Sequence, residues 1–127
     1  MNIEYDDAKK ACAQRGMRLC EPDEFERACR GERRASYPYG SRMDPKKCNA
    51  KRSGEHKAVP GGAYAECVSA AGVFDMAGNV AEWVAGEGIR GGSFDTGDGR
   101  CSNRDHRSTS RAYHDVGYRC CSRPKEN

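Results

Sequence analysis

The chain has 127 residues, of which 36% are hydrophobic and 8% aromatic, with 15 glycines and five prolines; that is one domain's length with a thin supply of core residues. Its net charge of +3 comes from 22 basic and 19 acidic residues that interleave, which excludes the basic stripe of a nucleic-acid binder. No stretch is long and apolar enough to span a bilayer, and the N-terminus lacks the apolar run of a signal peptide.

In chain order, Tyr5, Ala8, Ala11 and Cys12 recur at helical spacing and Gly16 follows as a stop, predicting a helix over residues 5–15. Residues 17–19 read as a short extended link. A second helix is expected over 22–30: Pro22 suits its first position, Glu21, Asp23 and Glu24 suit its positive end, and Gly31 ends it. Phe25, Ala28 and Cys29 share a face. Tyr37-Pro38-Tyr39-Gly40 is a turn, and residues 41–62 read as loop. Residues 72–76 suggest a short strand before a tight turn at Gly78-Asn79. Residues 81–84 and 89–94 suggest two more, the glycines of the latter implying close backbone approach. Residues 95–115 form a polar loop, and 116–121 the last strand. The fold class is α+β, with two helices up front and a loop-rich remainder, taken as a single domain over 1–127.

Eight cysteines are dense for such a chain and point to a disulfide-stabilised protein of an oxidising compartment, extracellular or periplasmic. That conflicts with the missing leader. Either the chain is a piece of an exported protein, or its thiols are reduced or bind metal; the first reading is taken. No C-x-x-C occurs, and the adjacent Cys120 and Cys121 are poorly placed to share a tetrahedral zinc.

Several segments resemble the formylglycine-generating enzyme, or sulfatase-modifying factor, family. These are Cys12-Ala-Gln-Arg-Gly16-Met-Arg-Leu19 with Glu24-Phe25-Glu26-Arg27-Ala28-Cys29-Arg30-Gly31, then Tyr37-Pro38-Tyr39-Gly40, then Gly78-Asn79 with Glu82-Trp83. Arg90-Gly91-Gly92-Ser93 and Gly117-Tyr118-Arg119 complete the series. The resemblance implies an irregular C-type lectin-like fold, N-terminally truncated relative to the family. The same scaffold carries oxidases, ligand binders and hypervariable receptor domains of retroelements, so fold alone does not settle function. It also implies two bridges, Cys12–Cys120 and Cys29–Cys101. Cys48 and Cys67 bracket the long loop and are paired with each other. Cys20 is then paired with Cys121, parallel to the first tie.

The resemblance further implies a structural calcium site at Asp75, Gly78, Val80 and Glu82, two ligands acting through side chains and two through backbone carbonyls. Calcium takes six to eight oxygens, and Asp75 and Glu82 bring two negative charges. The bland reading is that Glu82 and Asn79 only hydrogen-bond the turn. A second, weaker metal site is matched by Asn49 and Ala50, with Glu55 as a substitute acid.

The family's oxidases hold copper with two cysteines beyond the Gly-Gly-Ser strand, a soft pair suited to copper(I). Here Thr96 stands at the first of those positions, the loop is shorter, and Cys101 reads as the structural cysteine that follows. Copper is therefore not expected. His106 and His114, with Asp105 and Asp115, can approach on the surface, but nothing fixes them as an iron site; His56 is a third histidine in polar loop. The segment 95–115 is expected to form the ligand-facing surface through Asp95, Asp98, Asn103, Arg104, Asp105, His106, Arg107, Arg111, Tyr113 and His114. The leading expectation is a non-catalytic module that binds a protein, peptide or small molecule there. The alternatives are a metal- and oxygen-dependent oxidoreductase and a retroelement-diversified binding protein.

Overall fold

Two helices and six short strands are formed among the described residues, which in this computed structural model are 2–44, 46–50, 57–70, 72–97 and 99–122. Helix α1 is Tyr5–Gln14, with Asp6 and Asp7 in its first turn and Tyr5, Ala8 and Cys12 turned inward. Gly16 closes it with φ +70°, a left-handed conformation that glycine adopts without steric cost. Strand β1, Met17–Leu19, follows. Helix α2 is Pro22–Arg30, with a proline in its first turn and Asp23 and Glu24 there as well. The Glu21 backbone N–H donates to Glu24 Oε1 at 2.8 Å, the N-terminal half of a capping box. Phe25 and Cys29 are its buried residues.

Four strands make the larger sheet: β2 (Ala81–Val84), β3 (Gly88–Arg90), β4 (Arg104–Asp105) and β5 (Val116–Tyr118), in the order β4-β3-β2-β5. β2 runs antiparallel to β3, with Glu82 opposite Arg90, and parallel to β5, with Ala81 opposite Val116. β3 and β4 are antiparallel, with Arg90 opposite Arg104. The last strand, β6 (Cys120–Ser122), pairs with β1 in a separate two-stranded sheet.

The core lies between α1 and the larger sheet and comprises Tyr5, Ala8, Cys12, Leu19, Ala81, Trp83, Ile89 and Val116. Trp83 is central: it meets the Tyr5 ring edge-on at 5.7 Å and donates from Nε1 to the Ile3 carbonyl at 2.9 Å. A second cluster, Phe25, Cys29, Met76, Val84 and Cys101, sits under α2. All eight cysteines are bridged, as Cys12–Cys120, Cys20–Cys121, Cys29–Cys101 and Cys48–Cys67. Such use of cysteine belongs to an oxidising compartment. No helix among the described residues is long and apolar enough to cross a membrane.

The strands differ from their sequence-based bounds. Residues 72–76 form only an isolated bridge, Phe74 to Val68, because Gly72 and Asp75 both have positive φ. The strand expected over 89–94 ends at Arg90. Gly91 and Gly92 turn the chain with φ +94° and +66°, and a Cβ on Gly91 would lie 2.9 Å from the Met76 carbonyl oxygen. The strand expected over 116–121 is two strands, which part at Arg119 because they belong to different sheets. The extended link at 17–19 is a strand because β6 supplies its partner.

Candidate functional site

Buried polar side chains gather at two places: the turn that leads into β2, and the segment between β3 and β5. The turn is pinned by Asn79, which takes positive φ (+59°). Its Oδ1 accepts from the Val59 N–H at 2.9 Å and from Asn49 Nδ2 at 3.3 Å, its Nδ2 donates to the Val59 carbonyl at 3.0 Å, and its N–H donates to the Asn49 carbonyl at 2.7 Å. Gly78 presses onto the same peptide: a Cβ there would meet the Asn49 oxygen at 2.6 Å. Asn49 is fully buried and also donates to the Lys57 carbonyl at 2.8 Å. The Ala50 N–H donates to the Cys48 carbonyl at 3.0 Å. Glu55 and His56 lie outside the described residues.

Asp75 and Glu82 bracket this turn. Asp75 Oδ2 accepts from the Gly62 N–H at 3.0 Å. Glu82 is 4% exposed on the central strand β2. Arg119 Nε donates to Glu82 Oε1, and Arg119 Nη2 reaches the carbonyls of Phe74 and Asp75 at 3.0 and 3.2 Å. Glu82 Oε2 is buried with no hydrogen-bond partner among the described residues. Burial pushes the Glu82 carboxyl above its ordinary range; the Arg119 charge and hydrogen bond offset only part of that, and Asp75 adds to it. The turn thus holds an acceptor with unmet demand, which an oxygen-seeking cation would satisfy. No cluster of three or more His, Cys, Asp or Glu side chains is assembled among the described residues. A cation here would therefore draw on carbonyls and water beside two carboxylates.

The segment 95–115 is organised by a polar group that the sequence reading missed. Asp115, the residue before β5, is 1% exposed. Arg107 grips it with two hydrogen bonds, Nη1 to Oδ1 at 2.7 Å and Nη2 to Oδ2 at 3.0 Å, while its Nε donates to Asp105 Oδ2 at 2.8 Å. Ser93 Oγ donates to Asp115 Oδ2 at 2.9 Å and accepts the backbone N–H groups of Asp95 and Thr96. The Arg107 guanidinium also lies over the Tyr113 ring at 5.0 Å. Burial pushes the Asp115 carboxyl up, but the Arg107 and Ser93 hydrogen bonds outweigh it and hold the group below its usual range. Asp115 is interior and held by Arg107, and His114 does approach it, with Nδ1 4.0 Å from Asp115 Oδ1. A Gly-Gly-Ser ending and an acid just before a strand are visible in sequence. Their meeting across the loop is not, because it depends on how β3 and β5 are placed.

The other loop residues divide by exposure. Asp95, Arg104, His106, Arg111 and His114 are exposed; Asn103, Asp105, Arg107 and Tyr113 are half-buried. Tyr113 donates its hydroxyl to the Ser108 carbonyl at 3.1 Å. His114 packs edge-on to Phe94 at 5.6 Å, its Nε2 3.7 Å from Asp95 Oδ2. Asp98 lies outside the described residues. Beside the loop a cavity of about 280 Å³ is floored by Ala81 and Ile89 and walled by Thr96, Asn103, Arg104 and Asp105.

Short strands, two leading helices and four bridges define a disulfide-braced α+β protein whose polar surface rests on one buried ion pair. The chain belongs to the family of sulfatase-modifying factor enzyme 1-like domains, whose profile matches residues 1–124. It is 31% identical over 157 aligned positions to the inactive C-alpha-formylglycine-generating enzyme 2 of Mus musculus, covering 100% of this chain and 51% of that one. The Bos taurus protein of the same name is 30% identical over 149 positions, covering 96% and 49%. The chain therefore spans about half the length of the curated relatives it matches. Among solved structures, PvdO from Pseudomonas aeruginosa superposes with a TM-score of 0.77 at 23% identity, covering 91% of this chain and 58% of that one. CarF gives 0.73 at 20% identity, covering 94% and 65%. Treponema denticola variable protein 1 gives 0.69 at 22%, covering 85% and 48%. At these identities the three show the shared fold.

Proposed function

We propose that this chain is a formylglycine-generating-enzyme-like module that carries out no oxidase chemistry and binds a ligand or protein partner through residues 95–115. The observation that carries the reading is the bonding of every cysteine: all eight are in bridges, which leaves no thiolate pair to hold copper(I). Thr96 stands where the resemblance puts the first copper cysteine. It accepts a hydrogen bond from Arg107 Nη2 at 3.4 Å and contacts Ser93 Oγ at 3.0 Å. The names of the mammalian relatives, which call those proteins inactive, support the same direction. Binding is supported by the loop's construction. A buried ion pair and two bridges, at Cys101 and Cys120, fix its base, while charged side chains stand outward; rigid support under polar side chains is how loops present recognition groups. Its place of action on this reading is outside the cell or in an oxidising lumen.

Calcium is assigned a bracing role at Asp75, Gly78, Val80 and Glu82, supported by the unmet Glu82 oxygen. Bound there, the ion would supply charge to a buried carboxylate and no chemistry. Melting followed by Trp83 fluorescence should shift upward in calcium relative to chelator. Glu82→Gln should abolish that shift, and Glu82→Ala should destabilise more than an exposed substitution does. An unchanged melting temperature in the native protein would remove the ion. The catalytic question is settled by supplying copper(I) or iron(II), a cysteine-containing peptide and oxygen. The expected result is no oxygen uptake and no aldehyde; turnover would return the chain to the oxidoreductases. For the binding role, a variant with Arg104, His106 and Arg111 all replaced by alanine should keep its fold and lose its ligand.

A further inference from the structure

We infer that the Cys20–Cys121 bridge is a thiol-exchange site, with Cys121 the residue to which an external thiol becomes attached. This chemistry is independent of the binding role given to residues 95–115. The four bridges differ in their surroundings. Cys12–Cys120 belongs to the core under α1: Cys12 is fully buried, and Cys120, though half-buried, packs against the same cluster. Cys29–Cys101 belongs to the cluster under α2. Cys48 and Cys67 are both buried. Cys20–Cys121 joins neither cluster, and Cys121 is half-buried. The β1–β6 register explains the contrast. Leu19 is opposite Cys120, and Arg18 is opposite Cys121. Opposed residues of an antiparallel pair share a face, and successive residues alternate between faces. Cys120 therefore takes the face of Leu19, toward the core. Cys121 takes the face of Arg18, whose side chain reaches solvent. Two adjacent cysteines thus put one bridge inside and the other outside.

The outer bridge can open without unfolding the protein. It spans 101 residues, but Cys12–Cys120 spans 108 over nearly the same stretch. A disulfide stabilises chiefly by restricting the unfolded chain. With the inner bridge intact, opening the outer one releases only a small ring. β6 keeps its pairing to β1 and its inner tie. The step is a balanced exchange. An external thiolate attacks Cys121 Sγ and forms a new S–S bond there. The Cys20–Cys121 bond breaks, and its electron pair leaves with Cys20 Sγ. The proton given up by the incoming thiol ends on Cys20. No oxidant or reductant is consumed. The Arg119 carbonyl oxygen lies 3.9 Å from Cys20 Sγ, so the protonated leaving group has a weak acceptor at hand. Attack at Cys121 is preferred over attack at Cys20 because Cys20 is 3% exposed and exchange depends on access. The thiol is a free small molecule or the cysteine of a protein.

The test is timed exchange of the native, fully bridged protein with glutathione, quenched by alkylation and read by peptide mass spectrometry. The first product should carry one glutathione on Cys121 and one alkylated thiol at Cys20. The other three bridges should be intact and Trp83 fluorescence unchanged. Dithiothreitol, a dithiol, should free both cysteines without a lasting adduct, at least about tenfold faster than it opens any other bridge. Two variants probe the asymmetry. In Cys20→Ser, the Cys121 thiol should take one glutathione from oxidised glutathione. In Cys121→Ser, the buried Cys20 thiol should react at least about tenfold more slowly. A cysteine-containing peptide forming the same adduct extends the site to protein thiols, and adducts from glutathione alone confine it to small ones. Opening of any other bridge before Cys20–Cys121, exposure of Trp83 in step with the first adduct, or an adduct on Cys20 in place of Cys121 would overturn the inference. These outcomes are read on the native protein, so they stand even where a variant fails to fold. Exchange consumes no oxygen, which separates it from the oxidase assay.

Discussion

Arg107 decides whether the 95–115 loop keeps its shape. Its side chain is 17% exposed and that of Asp115 is 2% exposed, so each shields the other from the cost of burying an unpaired charge. Removing one partner strands the other. Arg107→Ala should therefore cost about 3–5 kcal/mol, read by urea unfolding with Trp83 as the probe, whereas Arg111→Ala should change stability by less than about 0.5 kcal/mol. A loss for Arg107→Ala no larger than that for Arg111→Ala would mean the pair is solvated and the loop mobile. Arg107 stood out in the sequence as one of ten polar residues in a polar segment, with nothing to separate it from its neighbours. A charged side chain has the same letter whether it faces water or a buried carboxylate. Only the partner across the loop tells them apart, and that partner, Asp115, lies in the interior just before β5.

At the scale of the elements, α2 shows how local rules sum. Glu24 accepts from the Glu21 N–H and takes two hydrogen bonds from Arg18, at 2.6 and 2.8 Å. The Arg18 hydrogen bonds, followed by that of Glu21, pull its pKa from 4.5 to about 2. A carboxyl whose folded pKa is lowered adds stability above its unfolded pKa and loses it as pH falls through the folded one. The contribution should fade between about pH 4.5 and about pH 2, and Glu24→Gln should flatten that part of the stability profile. Because the Arg18 and Glu24 side chains are 28% and 35% exposed, solvent screening keeps the effect under about 1 kcal/mol. A profile with the same slope in the variant would show that the bonds contribute nothing. Both helices were legible for this reason: Pro22, Gly16 and Gly31 act within a few residues of themselves. The strands were legible in place and not in extent. Residues 81–84 matched because Trp83 and its neighbours are buried on both faces. The chain at 17–19 became a strand through β6, about a hundred residues away, and that at 116–121 split because β5 pairs with β2 while β6 pairs with β1. The turn of the candidate site was legible from Gly78-Asn79. The unmet Glu82 oxygen was not, since it follows from the geometry of Arg119.

For the molecule as a whole, the bridges do not act independently. Cys12–Cys120 and Cys20–Cys121 span 108 and 101 residues, and they run side by side between the α1–β1 unit and β6. In the chain-entropy account a single bridge closing a loop of this size contributes about 4–5 kcal/mol. With one of the two already in place, the other closes only the short ring made of residues 12–20 and 120–121. By the same relation a ring of that size is worth about 2–3 kcal/mol. Replacing both cysteines of either bridge with alanine should therefore cost about 2–3 kcal/mol, and the quadruple replacement, with Cys29–Cys101 still closing part of the same loop, about 6 kcal/mol, more than twice a single deletion. Cys48–Cys67, spanning 19 residues with no parallel partner, should cost about 3 kcal/mol when removed alone. Urea unfolding of the three two-cysteine variants and the quadruple variant distinguishes the cases. Equal losses of about 4–5 kcal/mol for each parallel bridge, adding in the quadruple variant, would show that each ties the unfolded chain as though the other were absent. A core drawn from a chain that is 36% hydrophobic leaves little margin beyond such losses. The quadruple variant should therefore be unfolded at 25 °C, and either parallel bridge alone should be enough to keep Trp83 buried.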